Sequence, residues 1–79
     1  MADGVERAVI ENAIVRAEMC ITRGDMVIVR QLATIAALKR SGRNIAVSMA
    51  VLSTFEENQR RHVAHLSWLW SNLRNAFWT

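Results

Sequence analysis

The chain lacks proline and tyrosine altogether and has only three glycines and one cysteine in 79 residues. So little turn-forming material excludes a many-turned β-protein, and the absence of proline excludes a proline-rich disordered chain. A single cysteine cannot form a disulfide within the chain, which suits a reducing compartment. Charge of one sign is also scarce: ten Lys and Arg against seven Asp and Glu leave a net +3, too modest by itself to point to nucleic acid. Long apolar runs are missing as well. The longest uncharged stretches, 44–55 and 62–73, are twelve residues each, whereas a membrane-spanning helix needs about 20. The opening residues, Met-Ala-Asp-Gly-Val-Glu-Arg, carry acids where a signal peptide has positive charge and then an apolar run. These absences lead us to expect one small soluble domain covering 1–79, cytoplasmic and without membrane association.

What the chain does have is order. Residues 13–40 fall into sevens, AIVRAEM, CITRGDM, VIVRQLA and TIAALKR. Isoleucine recurs at Ile14, Ile21, Ile28 and Ile35, arginine at Arg16, Arg23 and Arg30, acid at Glu18 and Asp25, and methionine at Met19 and Met26. A period of seven is a helical signature, because 3.5 residues per turn keeps one seam facing a partner. With the isoleucines at a, the d positions are Ile10, Ala17, Gly24, Gln31 and Leu38. Met26-Val27-Ile28-Val29 is β-branched enough to suggest a strand, but it lacks polar alternation and the sevenfold order runs through it. Gly24 costs a helix about 1 kcal/mol relative to alanine, a weakness that packing can override.

The boundaries agree. Asp3 and Glu6 resemble a capping box, and Lys39, Arg40, Ser41 and Gly42 close the helix with cations and a C′ glycine. Asn44 is a good N-cap for the next helix, in which the spacing continues through Ile45, Ser48, Leu52, Phe55, Gln59, His62, Leu66, Leu69, Leu73 and Ala76. The expected architecture is all-α: a helix over about 4–41, a turn over about 41–44 and a helix over about 45–77. They fold back as a long antiparallel, coiled-coil-like hairpin. A register in which paired residue numbers sum to 83 sets Leu38 against Ile45, Gln31 against Leu52, Ile28 against Phe55, Gly24 against Gln59 and Ile21 against His62. It continues with Ala17 against Leu66, Ile14 against Leu69 and Ile10 against Leu73.

That seam leaves many apolar residues unused. Ala13, Cys20 and Val27 flank the first helix's isoleucines on one side, and Val15, Val29 and Ala36 on the other. On the second helix Met49, Val63, Trp70 and Phe77 recur at multiples of seven. Contiguous apolar stripes mark association surfaces, and two helices alone enclose little core. Self-association into a four-helix bundle dimer or a larger assembly is therefore expected, with Cys20, Val27, Met49, Val63, Trp70 and Phe77 at the interface. Trp68 and Trp78 lie off both stripes and are candidate contacts for a protein partner.

Chemistry is thinly represented. Cys20, His62 and His65 do not offer the spacing or the number of ligands that a metal requires, and no third group or oxyanion donor completes a Cys–His nucleophile. Glu56 and Glu57 are adjacent and so point about 100° apart; with Arg60 and Arg61 four residues on, they read as a solvated face. No catalytic residue, cofactor or metal is expected.

Two segments are similar to a group of short bacterial helical-hairpin proteins with no assigned activity. The first runs from Gly24 to Gly42, with Ile28, Arg30-Gln31, Ile35 and Leu38, and matches their Gly-x-x-x-Ile-x-Arg-Gln opening. The second is Leu52-Ser-Thr-Phe-Glu-Glu followed by His62-Val-Ala-His65 and Leu69. The likeness covers about residues 20–70 and departs from the pattern at Leu66-Ser67-Trp68, where a charged Arg-Asp-Arg-like triplet is expected. It implies a hairpin and supplies no activity. The expected function is a non-enzymatic protein–protein interaction module, a homo-oligomeric scaffold or regulator. The alternative is a nucleic-acid-associated regulator using the basic turn Lys39, Arg40 and Arg43.

Overall fold

The computed structural model describes residues 4–78, with side chains through Ala76. Two helices account for almost all of it: α1, Gly4–Arg40, and α2, Ala46–Trp78. They pack against each other as a hairpin that extends 60 × 14 × 13 Å. Each predicted boundary lies within one residue of the observed one. α1 runs unbroken through Gly24 and through Met26-Val27-Ile28-Val29, so the sevenfold order prevails over local β propensity. Asp3 and the side chains of Phe77 and Trp78 lie outside the described residues, while Glu6 stands in the first turn of α1.

The connection is short because both helix ends are capped. Gly42 has φ of 70°, the left-handed conformation that stops a helix and that glycine adopts without a Cβ penalty. Its N–H donates to the Lys39 carbonyl at 3.1 Å and that of Arg43 to the Leu38 carbonyl at 3.0 Å. That pair of bonds is a Schellman motif, and it satisfies carbonyls that the end of α1 would otherwise leave open. Two residues later Asn44 Oδ1 accepts from the Ala46 N–H at 2.8 Å, which supplies the N-terminal cap of α2.

Every a and d position from Ile10 to Ala76 is buried or half-buried. The most deeply buried side chains, Ile14, Ala17, Ile35, Leu52 and Leu69, all belong to the predicted seam. Ile14, Ala17 and Leu69 form one cluster, with Ile10, Ala13, Leu66 and Leu73 packed around it, as the sum of 83 requires. Among the described residues no large side chain is completely sealed from solvent. Two helices share a single contact line, and each seam residue keeps an edge open to one side or the other.

Candidate interaction surfaces

Midway along the seam the apolar layers give way to a polar lock. The Gln59 side chain crosses from α2 to α1 and donates from Nε2 to the Ile21 carbonyl at 2.7 Å and to Asp25 Oδ1 at 2.8 Å. It fits because Gly24 has no side chain: a Cβ built there would overlap Gln59 Oε1 and lie 2.7 Å from its Cδ. Gln59 Oε1 is buried without a hydrogen-bond partner. Nearer the turn Gln31 Nε2 donates to the Ser48 carbonyl at 2.8 Å, one helical turn from its register partner Leu52. A slipped register would strand both amides against apolar layers, so the pair holds the helices in alignment.

Two grooves run along the hairpin, one on each side of the lock. The first, about 310 Å³, is lined by Cys20, Arg23, Gly24, Val27, Phe55, Asn58, Gln59 and His62. Cys20 is a free, exposed thiol and shares this groove with His62, as the register suggests. His62 does not bond to Gln59, whose donors are engaged on α1. The second groove, about 470 Å³, is lined by Ile28, Glu56, Gln59, Arg60, Val63, Ala64 and Ser67. The residues expected at an oligomer interface therefore divide. Cys20 and Val27 belong to the first groove and Val63 to the second. Met49 and Trp70, seven or fourteen residues from Val63 on the same helix, share its stripe. Antiparallel packing causes the division: Cys20 and Val27 stand just before the seam isoleucines of α1 and Val63 just after the seam residue His62 of α2, edges that share a side in a parallel pair and lie on opposite sides in an antiparallel one. Sequence periodicity shows the stripes but not that they lie on different sides.

A third surface is the outer face of α1, where Val15, Met19, Met26 and Val29 are 56%, 49%, 52% and 65% exposed. A shallow hollow of about 370 Å³ there is lined by Val15, Glu18, Met19, Thr22 and Arg23. Toward the end of α2, Trp68 is exposed and stacks on His65, with ring centroids 6.1 Å apart and planes 15° from parallel. His65 is thereby occupied with Trp68 rather than converging with His62. Glu57 and Arg61 form an exposed ion pair at 3.0 Å, while Glu56 and Arg60 rim the second groove.

At the turn, Lys39, Arg40 and Arg43 are exposed. Lys39 and Arg40 occupy the last turn of α1, where a cation complements the helix dipole. Among the described residues no group of three or more His, Cys, Asp or Glu is placed to hold a metal, and no helix is long and apolar enough to cross a membrane. Comparison with protein-family models, curated proteins and solved structures found no match.

Proposed function

We propose that this chain is a non-enzymatic protein–protein interaction module, a small cytoplasmic scaffold or regulator that works as a homodimer or larger assembly of hairpins. The observation that carries the reading is the amount of ordered apolar surface left outside the seam. Val15, Met19, Met26, Val27, Val29, Met49, Val63 and Trp70 are all exposed, and they fall on helical stripes rather than being scattered. Exposed apolar surface organised in this way marks association sites. Trp68, held by His65, is the natural anchor for a protein partner, since a large aromatic with restricted rotamers binds at low entropic cost. Trp78 is a second candidate at the same end.

Size-exclusion chromatography with light scattering over a hundredfold concentration range tests the reading. A mass of at least twice 9.0 kDa that persists on dilution supports it, and a monomer throughout refutes self-association. The basic tip of Lys39, Arg40 and Arg43 supports a second reading, nucleic-acid association. That reading requires an affinity that falls steeply with added salt.

A further inference from the structure

The outer face of α1 is a second complete seam. Counting by alternate threes and fours, Val5, Ala8, Asn12, Val15, Met19, Thr22, Met26, Val29, Ala33 and Ala36 form one line about 46 Å long at 1.5 Å per residue. It lies on the side of α1 away from α2: every one of these residues is exposed except half-buried Ala36. The hollow lined by Val15, Met19 and Thr22 sits on it. With Met19 and Met26 at the a positions of this second heptad, Val15, Thr22 and Val29 are at d. The position before each a then holds Glu11, Glu18 and Asp25, and the position after each d holds Arg16, Arg23 and Arg30. One border is wholly acidic over these three heptads and the other wholly basic. Arg16, Glu18, Arg23 and Arg30 have no ion-pair partner among the described residues.

We propose that a second copy of this chain docks on this face with its α1 parallel and in register, so that two hairpins associate α2–α1–α1–α2 about a twofold axis along the helices. The inference rests on the self-association reading above and names the face and the direction. Charge sets the direction. In a parallel pair, the residue before a on one helix meets the residue after d, five positions on, in the other. Here that sets Glu11 against Arg16, Glu18 against Arg23 and Asp25 against Arg30, on both sides of the axis. An antiparallel pair would set acid against acid and arginine against arginine. Asn12 at an a position pairs with its own copy only when the helices are parallel and unslipped, the usual role of one polar a residue.

Cysteine cross-linking tests the proposal in a Cys20→Ser background, with light scattering run on the same samples. Asn12→Cys and Ala33→Cys replace exposed residues near opposite ends of the line. With a mild oxidant each, alone, should give a disulfide-linked dimer, and Val63→Cys should do so much more slowly. A dimeric protein in which either site fails to link to itself overturns the parallel seam. So does one in which the Asn12→Cys and Ala33→Cys chains link only to each other, or in which Val63→Cys links fastest. In those cases the self-association reading survives. A monomer at every concentration overturns both. Charge reversal supplies a second readout that needs no oxidant. Arg16→Glu with Arg23→Glu, and separately Glu11→Arg with Glu18→Arg, should each raise the dimer dissociation constant roughly tenfold, because exposed attractions become repulsions. Mixing the two variants should restore dimers, since each supplies the charge the other lacks. Failure of the mixture to associate better than either variant alone would overturn the pairing.

Discussion

Substituting Gly24 by alanine separates what helix propensity predicts from what the seam demands. In an exposed helix interior Gly→Ala stabilises by about 1 kcal/mol. At this position the new Cβ would occupy space held by the Gln59 amide, whose bonds to Ile21 and Asp25 are 2.7 and 2.8 Å long. The amide is the far end of a flexible side chain, so it can swing aside, and the hairpin survives. Swinging aside forfeits both bonds, one of them to a carboxylate; together these are worth about 2–3 kcal/mol. The Ile21 carbonyl keeps its helical partner and Asp25 regains water, which limits the loss to that range. Gly24→Ala should therefore destabilise by about 1–2 kcal/mol, the opposite sign to the propensity effect. In a Gln59→Ala background the obstruction is gone, and Gly24→Ala should stabilise by up to about 1 kcal/mol. The cycle thus predicts a coupling of about 2–3 kcal/mol between residues 35 positions apart in the chain. Urea denaturation followed by circular dichroism reads all four proteins, at one fixed protein concentration because association contributes to apparent stability. A Gly24→Ala chain more stable than the parent would refute the close approach of Gly24 and Gln59.

Other substitutions sort the hairpin from its outer surfaces. Ile14→Ala, at 4% exposure in the densest cluster, should lower stability by about 2–4 kcal/mol in the same denaturation assay; Val29→Ala should leave the hairpin intact and weaken self-association instead. Gly42→Ala meets no atom within 4 Å, so its cost is purely conformational, about 1–2 kcal/mol for a left-handed residue with a Cβ, and thermal melting should show Gly42→Asn to be milder. Loss of the Asn44 cap in Asn44→Ala should cost about 1 kcal/mol, with Asn44→Asp retaining most of the stability. For partner binding, Trp68→Ala should abolish capture of any protein held through the end of α2 without changing the melting temperature of the hairpin. Equal capture by the variant would remove Trp68 from the surface.

Much of the fold is legible in the sequence for one physical reason: a narrow seam between two helices imposes the same demand every seven residues. That repetition locates Ile14, Ala17, Leu52 and Leu69 in the core. It also sets Gly24 opposite Gln59. The turn is legible because glycine at 42 and asparagine at 44 each have a specific capping role. The surfaces are less legible. Periodicity shows that Cys20 and Val63 stand on stripes, but the two stripes separate into different grooves only because the helices run antiparallel. The polar bonds are equally hidden, because a glutamine on a seam can bond along its own helix or across to the other. Here Gln59 reaches Ile21 and Asp25 rather than His62. His65 turns to Trp68, a contact off the seam that the sevenfold order does not announce.

Whether the hairpin is half of a side-by-side assembly is decided by small-angle X-ray scattering on an absolute scale. It reads mass and shape from the same sample. A side-by-side assembly should show at least twice the 9.0 kDa chain mass, with a long dimension still close to the 60 Å of one hairpin and a widened cross-section. A particle of 9.0 kDa at every concentration, or one whose mass doubles as its length doubles, would contradict it.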